Sequence, residues 1–225
     1  MASNHPTKRR RPAELKVEQI LDGLQEAYPE AQCALDHVNP FQLLVATMLS
    51  AQCTDATVNK VTPVLFGRFM TPEQLARASQ AELEQIIHST GFFRNKAKNI
   101  KAASQKIIDE FGGQVPADMT ALLSLPGVAR KTANVVLGTA FGIPSGVVVD
   151  THVFRISRRL GLTRSTTPER VEEDLIKSLP QKEWILFSHR VIHHGRQVCT
   201  ARRPQCGKCI LEPYCPKIDV EDVQR

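Results

Sequence analysis

Helix start signals recur along this chain and constrain its fold more than any other feature of the sequence. A capping Asn, Thr or Ser is followed three residues later by Gln or Glu at Asn39, Thr71 and Ser79, a pattern typical of helix N-termini. Proline fills the first helical position after Asn39 and after Thr71, where its missing N–H is tolerated. Apolar residues then recur at helical spacing, whereas period-two alternation is hard to find. We therefore predict an all-α fold of about ten short helices.

No apolar stretch approaches the roughly 20 residues that a membrane-spanning helix needs, so we expect no membrane partner. The N-terminal residues carry charge, but no apolar segment follows them, and a secretory signal is therefore not predicted. The expectation is a cytoplasmic protein, nucleoid-associated if the source is bacterial. Because blocks of like charge are usually disordered, residues 1–11 are predicted to form a basic disordered tail.

The balance of charge indicates the class of partner. Lys and Arg number 29 against 23 Asp and Glu, which gives a formal net charge of +6 at pH 7 and favours a polyanion such as nucleic acid. The excess collects in four clusters, at residues 8–11, 94–101, 155–164 and 196–208. The three internal clusters are the more informative, because a charged tail can simply be solvated.

Residues 118–138 have the pattern of a short helix, a tight turn and a second helix. Pro126 fixes the path into the turn, and Gly127 permits a backbone conformation that a Cβ would hinder. Such a turn points the free N–H groups of the second helix outward, where they suit a phosphate oxygen and carry no information about base identity. The alternative interpretation is a plain connection between two helices.

Four of the six cysteines form a C-x6-C-x2-C-x5-C array near the end of the chain, at Cys199, Cys206, Cys209 and Cys215. Without an export signal, metal ligation fits these thiols better than disulfide bonds do. Structural zinc sites usually bring paired, short-spaced thiolates, and only Cys206 and Cys209 are so paired. The spacing therefore favours a [4Fe-4S] cluster, with zinc as the alternative. Cys33 and Cys53 stand apart and are expected to be small packing residues.

Five motifs together resemble the endonuclease III branch of the helix-hairpin-helix DNA glycosylases. They follow the family's order over almost the whole chain: LSAQCTD at 49–55, STGFFRNKA at 89–97, LPGVARKTA at 125–133, VDTHVFR at 149–155, and the cysteine array. One departure is Ala129, where the family hairpin commonly has a second glycine. This departure weakens any claim that the Ala129 amide approaches DNA without steric hindrance.

The resemblance implies two helical lobes with a DNA groove between them. A six-helix barrel domain is expected at 33–144 and includes the helix-hairpin-helix at about 119–141. Residues 12–32 and 145–225 are expected to form an iron–sulfur domain. Its [4Fe-4S] cluster has a largely structural role and is held by Cys199, Cys206, Cys209 and Cys215. The protein is expected to be a monomer whose partner is double-stranded DNA containing damaged bases or abasic sites.

Lys131 lies in the first turn of the second hairpin helix, directly after Arg130. From the residues alone, a nucleophilic amine and a phosphate-contacting lysine are both open. The resemblance implies the nucleophile, which attacks the sugar C1′, displaces the base and forms a Schiff base. Asp150 is by position a helix N-cap. The resemblance adds a second role for Asp150, stabilising positive charge at C1′ and helping to deprotonate the lysine.

A base inside a duplex is inaccessible, so the damaged nucleotide must be flipped and its vacancy filled. By resemblance, Gln52 and the Phe92-Phe93 segment occupy the positions that penetrate the duplex, with Phe92 as the wedge, although a phenylalanine is by type equally a core aromatic. His152 and Asp55 match positions near the pocket. The hairpin and the basic segment among the cysteines are expected to contact DNA through Gly127, Ala129, Arg130, Arg202, Arg203 and Lys208.

These features predict a base-excision-repair DNA glycosylase that removes oxidised pyrimidines from duplex DNA and cleaves the strand as an AP lyase, by β-elimination. Three alternatives stay open at this point. They are a mismatch or purine glycosylase on the same scaffold, a non-catalytic iron–sulfur DNA-binding redox sensor, and a zinc-stabilised DNA-binding module. Lys131 together with Asp150 favours the enzyme over the two non-catalytic alternatives.

Overall fold

The protein folds almost entirely into α-helices, as the start signals predict. A computed structural model describes residues 12–220, and within this range there are eleven α-helices and no β-strand. The predicted disordered tail at 1–11 lies outside the described residues. None of the described helices is both long enough and apolar enough to cross a lipid bilayer. In chain order the helices are α1 (Pro12–Ala27), α2 (Pro40–Leu49), α3 (Asp55–Arg68), α4 (Pro72–Arg77), α5 (Gln80–Ile87), α6 (Phe93–Phe111), α7 (Met119–Leu123), α8 (Arg130–Phe141), α9 (Thr151–Arg159), α10 (Pro168–Ser178) and α11 (Trp184–Gln197).

Side-chain caps begin most of these helices. The Asn39 side chain accepts the N–H of Gln42 at 2.9 Å, and Thr71 forms a reciprocal capping box with Gln74. The hydroxyl of Ser79 accepts the backbone N–H three residues further on at 3.4 Å. Each bond satisfies an N–H group that the helix itself leaves without a partner. The three helix starts predicted from the sequence are therefore confirmed.

The helices form two compact units, and each unit has its own apolar core. One unit comprises residues 33–145 and contains α2 to α8. The other comprises residues 12–32 and 146–220 of the described chain and contains α1 and α9 to α11. The functional domains predicted above, a six-helix barrel and an iron–sulfur domain, stay predictions.

Helix α11 contributes its apolar face to the core of the unit that contains α1 and α9. Phe187 and Val191 are fully buried, and Trp184 packs against the same core. The indole N–H of Trp184 donates to the carbonyl oxygen of Leu179 at 3.1 Å, which satisfies its one polar atom. The helical spacing of the apolar residues in α11 therefore reflects their packing in the core.

Candidate functional site

A tight turn joins α7 to α8 with the geometry predicted for a helix-hairpin-helix. Asp118 caps α7 by accepting the N–H of Ala121 at 2.9 Å. Gly127 lies in the turn with φ of +77°, a region that residues with a Cβ rarely adopt. A Cβ on Gly127 would also come within 2.8 Å of the Cβ of Asn99 on α6. Glycine is therefore required here both by backbone conformation and by space.

Ala129 is the N-cap of α8, and it gives the helix no side-chain hydrogen bond. Its backbone is extended, with φ of −95° and ψ of 169°, so the alanine in place of the usual glycine introduces no backbone strain. Arg130 and Lys131 follow in the first turn, and both are exposed. A helix start without a side-chain cap, next to exposed basic residues, suits an anion.

Asp150 is the N-cap of α9, as its position in the sequence predicts. Its Oδ1 accepts the N–H groups of His152 and Val153, each at 2.8 Å. The carboxylate is half-buried and lies at the N-terminus of α9. The helix start therefore fixes the position of this carboxylate, while its catalytic role stays a prediction.

His152, in the first turn of α9, is tightly packed. A Cβ on Gly195 would lie only 2.6 Å from its Nδ1, and the Nη2 atom of Arg155 lies 3.3 Å from the same nitrogen. Burial lowers the pKa of His152 below its ordinary value of 6.5. The carboxylate of Asp150 acts in the opposite direction, and the charge of Arg155 lowers the pKa further. The imidazole is therefore predominantly neutral at pH 7.

Two residues predicted to penetrate the duplex have unusual backbone conformations. Within the 33–145 unit, all of which is described, Gln52 and Phe92 are the only non-glycine residues with positive φ, at +52° and +46°. Gln52 is exposed, and Phe92 is 65% exposed. The core interpretation of Phe92 is wrong, because its neighbour Phe93 packs inward instead, with its ring 4.5 Å from that of His88. Such unfavourable conformations concentrate at functional sites.

The thiols of the cysteine array line one pocket. Its cysteines are Cys199, Cys206, Cys209 and Cys215, and its apolar wall includes Ile156 and Leu211. Burial raises the pKa of the Cys209 thiol to about 11, and the proximity of the other three cysteines adds to the shift. Thiols in such a pocket lose their protons when a positively charged centre binds the resulting thiolates. This donor set fits an iron–sulfur cluster, which thiolates bind.

Two arginines of α9 hold residues 199–206, which we call the cysteine loop. Arg159 is only 6% exposed. Its Nη1 donates to the Sγ of Cys199 at 3.3 Å and to the carbonyl of Thr200 at 2.8 Å. Its Nη2 donates to the carbonyl of Ala201 at 2.9 Å. Arg155 adds a bond to the carbonyl of Cys199 at 2.9 Å. These charge-assisted bonds fix the path of the loop.

The cysteine loop and the turn after it present cations to solvent. Arg202, Arg203 and Lys208 are all exposed. Within the loop, the hydroxyl of Thr200 donates to the carbonyl of Arg203 at 2.7 Å. A basic loop that is already ordered loses little conformational entropy when it binds a phosphate backbone.

Some cations of the basic clusters point inward, which the sequence did not indicate. In the cluster at 94–101, Lys96 is 7% exposed and Lys101 is half-buried, and both donate to backbone carbonyls. In the cluster at 155–164, Arg155 and Arg159 donate to backbone carbonyls of the cysteine loop. The interpretation of these clusters as surfaces for a polyanion is therefore wrong for four members, because a count of charges carries no information on direction.

Two family models match this chain. Residues 45–181 match the HhH-GPD superfamily base excision DNA repair protein. Residues 199–215 match the iron–sulfur binding domain of endonuclease III. The second match spans all four cysteines of the array, and it confirms the predicted [4Fe-4S] cofactor over the zinc alternative.

Curated relatives cover nearly the full chain. The endonuclease III of Synechocystis sp. is 59% identical over 201 residues, which is 89% of this chain and 92% of that protein. The endonuclease III of Bacillus subtilis is 47% identical over 89% of this chain and 91% of its own length. The Escherichia coli enzyme of the same name is 41% identical over 90% of this chain and 97% of its own length.

Solved structures agree with these relatives. A trapped endonuclease III–DNA covalent intermediate aligns with a TM-score of 0.86 at 47% identity, over 91% of this chain and 96% of that one. A non-covalent endonuclease III–DNA complex aligns with the same TM-score and identity, over 91% of this chain and 95% of that one. Because sequence and structure agree over both the hairpin and the cysteine array, the chain belongs to the endonuclease III family of base excision DNA repair proteins.

Proposed function

We propose that this protein excises oxidised pyrimidines from double-stranded DNA and then cleaves the strand through a Schiff base at Lys131. One observation carries the proposal. Lys131 is exposed in the first turn of α8, directly after the tight turn at Gly127. A hairpin that binds the DNA backbone places this amine close to a sugar of the bound strand. Positioning of the reacting groups supplies a large part of catalysis.

The reaction has two stages. The Nζ lone pair of Lys131 attacks C1′, and the bond from C1′ to the base breaks with its electrons leaving on the base, which takes up a proton. The C1′–O4′ bond then opens, O4′ gains a proton, Nζ loses one, and the Schiff base forms. Loss of a proton from C2′ finally expels the 3′ phosphate, which cuts the strand.

Asp150 supports the first stage in this proposal. Its Oδ1 is engaged by the first N–H groups of α9, so the catalytic task falls to Oδ2 and to the charge of the whole group. Negative charge stabilises the positive charge that develops at C1′ as the base departs. The carboxylate also accepts a proton from the lysine ammonium, which frees the nucleophilic lone pair.

The remaining predicted residues are proposed to bind and distort the duplex. Gln52 and Phe92 enter the stack where the damaged base leaves it, with the Gln52 amide facing the orphaned base. His152 and Asp55 line the region of the flipped nucleotide. Backbone contacts are proposed for Gly127, Ala129, Arg130, Arg202, Arg203 and Lys208.

The cluster has a structural task in this scheme, since it cross-links the four thiolates when it is bound. Arg155 and Arg159 orient the cysteine loop around the cluster. The exposed side chains of Arg202 and Arg203 then contact phosphates of the DNA backbone. We propose residues 33–144 as the six-helix barrel domain, and residues 12–32 with 145–225 as the iron–sulfur domain. The proposed place of action is the chromosome, hence the cytoplasm, and the nucleoid if the source is bacterial.

Borohydride trapping on a duplex containing thymine glycol tests the proposal. Wild-type protein is expected to form a covalent adduct, because reduction fixes the Schiff base. Lys131→Ala is expected to lower adduct formation by at least about 10³-fold, since the attacking atom is gone. An adduct retained by this variant would refute the assignment of Lys131.

Lys131→Arg separates the nucleophile from a phosphate-contacting lysine. Arginine keeps the positive charge but is not deprotonated in proteins. This variant should therefore keep DNA affinity within about threefold of wild type and form no adduct. If Lys131→Arg supports excision at the wild-type rate, the lysine serves only to contact phosphate.

A further inference from the structure

A buried ammonium group connects two separate segments of the 33–145 unit. Lys96 lies on α6 and is 7% exposed. Its Nζ donates to the carbonyl oxygen of Leu49 at 2.7 Å and to that of Thr90, also at 2.7 Å. Hydrogen bonds from a charged donor are roughly twice as strong as neutral ones. The two acceptors are 41 residues apart in sequence, so Lys96 holds together backbone that is otherwise distant along the chain.

Both acceptors are the last residues of helical segments. Leu49 ends α2, and Thr90 ends a short 3₁₀ helix at His88–Thr90. The carbonyl groups at a helix C-terminus have no partner within the helix and carry partial negative charge. A cation is therefore favourable at both places, and one ammonium serves both. Burial lowers the pKa of Lys96 from its ordinary 10.5, and the nearby thiol of Cys53 acts in the opposite direction.

The residues just beyond these two carbonyls are those with strained backbones. Gln52 follows Leu49 by three residues and has φ of +52°. Phe92 follows Thr90 by two residues and has φ of +46°. We call the two segments the Gln52 loop (residues 50–54) and the Phe92 loop (residues 90–92). A non-glycine residue keeps such a conformation only where its surroundings over-determine it.

We propose that Lys96 is a positioning residue for base extrusion, which holds the Gln52 loop and the Phe92 loop at a fixed separation so that both side chains enter the duplex together. The inference rests on the proposed function, because it takes Gln52 and Phe92 as the residues that enter DNA. Lys96 itself touches neither substrate nor reacting atoms. Because the two loops are already held in place, they lose less conformational entropy when they enter the duplex than two independent loops would.

Two substrates separate this role from general stability. Excision of thymine glycol from a duplex requires extrusion of a stacked base, whereas elimination at an abasic site in single-stranded DNA does not. Lys96→Met removes the ammonium and keeps the length of the side chain. Single-turnover excision from the duplex is expected to fall about 30-fold, while single-strand elimination stays within about threefold.

Lys101→Met is the matched control. Lys101 also lies on α6, and its ammonium also donates to a backbone carbonyl, that of Ala78 at the end of α4. That carbonyl precedes neither of the two loops. Lys101→Met should therefore change both rates by less than about threefold, and any loss should be equal on the two substrates.

A double-mutant cycle tests whether Lys96 acts through Phe92. If it does, Phe92→Ala should slow duplex excision strongly in the wild-type background and at least about fivefold less strongly in the Lys96→Met background. If the two effects multiply independently, or if Lys96→Met slows both substrates equally, the positioning role is refuted.

Folding is monitored by thermal melting of each variant. Should Lys96→Met be unfolded at the assay temperature, Lys96→Arg replaces it, because guanidinium keeps the charge but presents a wider, planar set of donors. A selective loss on the duplex is again expected, and an equal loss on both substrates again refutes the role. Failure of the proposed function has a different signature, since wild-type protein would then neither excise thymine glycol from the duplex nor cleave at an abasic site. If wild type is active but Phe92→Ala leaves duplex excision unchanged, Phe92 does not enter the duplex and the role of Lys96 falls with it.

Discussion

Helices α8 and α9 both begin beside a residue proposed for catalysis, and they begin in different ways. At α9, the side chain of Asp150 accepts two backbone N–H groups at 2.8 Å. At α8, the N-cap Ala129 offers no side-chain acceptor. The start of α9 carries its own anion, whereas the start of α8 has no side-chain acceptor at its N-cap and is followed by two exposed basic residues. The difference separates a helix start that fixes a carboxylate from one that suits a phosphate.

Exchange of the carboxylate for an amide at α9 should give the largest effect. Asn caps helices about as well as Asp, so Asp150→Asn should change the free energy of unfolding by no more than about 1 kcal/mol. The amide carries no charge and accepts no proton, and excision should therefore fall about 10²- to 10³-fold. Thermal melting and single-turnover excision measure the two quantities.

Asp150→Ala is the companion variant. It removes the cap together with the charge, and should add a loss of about 1 kcal/mol in stability to the same loss of activity. If Asp150→Asn excises bases at the wild-type rate, Asp150 acts only as a helix cap. The carboxylate at the start of α9 then has no part in catalysis.

Adding an anion to the start of α8 should give the next largest effect. In Ala129→Asp, the new carboxylate caps α8 and is expected to stabilise the protein by about 1 kcal/mol. The same carboxylate occupies the amides and repels phosphate, so affinity for duplex DNA should fall about 10- to 100-fold at low salt. A more stable protein that binds DNA less well would be hard to explain by damage to the fold.

Ala129→Ser is the matched control, because serine caps the helix without a charge. Its affinity for DNA should lie between those of wild type and Ala129→Asp. If Ala129→Asp binds DNA as tightly as wild type, the start of α8 does not contact phosphate, and the proposed role of the hairpin is wrong.

Short-range patterns allowed much of the two helix starts to be predicted. The cap at Asp150, the turn at Gly127 and the start of α8 all depend on the chemistry of a few neighbouring residues, which the sequence displays directly. The spacing of the cysteines likewise indicates a shared site from the sequence alone. The matching family models then confirmed the class of protein and its cofactor.

Inward-pointing cations could not be predicted in the same way. Lys96, Arg155 and Arg159 all lie in basic clusters, and the sequence shows only that they are charged. Most of their partners are carbonyl groups, which every residue possesses, and the distant ones lie 40 to 47 positions away in sequence. Contacts of this kind depend on the path of the whole chain. No residue type marks them, and the two loops near Lys96 were therefore not connected from sequence alone.

Substitution of the turn glycine should act on stability, and by less free energy than the loss of excision expected for Asp150→Asn. Gly127→Ala meets two obstacles, a φ of +77° and the Cβ of Asn99 at 2.8 Å. Gly142→Ala meets only the first, with φ of +66° and no atom within 4 Å. Gly142→Ala should destabilise the protein by about 1 kcal/mol, and Gly127→Ala by about 2 kcal/mol. Both losses are measured by chemical denaturation. Equal losses would show that the Asn99 side chain moves away from the new methyl group at no cost in free energy.

The smallest expected effect is a dependence of stability on pH, to which the start of α9 contributes through His152. Burial lowers the pKa of His152 in the folded protein below the ordinary 6.5, while the unfolded chain keeps the ordinary value. As the pH falls below 6.5, the unfolded chain takes up the proton first, so the contribution of His152 to stability is constant well above this pH and declines below it. Protonation also places a positive charge at the positive end of the α9 dipole.

His152→Gln removes this one titration and should flatten part of the decline. The variant should therefore gain stability relative to wild type as the pH falls. The free energy of unfolding of both proteins, measured by denaturation at pH 8 and again between pH 6.5 and 5, tests this. His189 and His194, whose pKa values burial also lowers, add to the decline. If the wild-type and His152→Gln curves run parallel, protonation of His152 does not weaken α9, because a variant that cannot titrate there would then lose stability just as steeply.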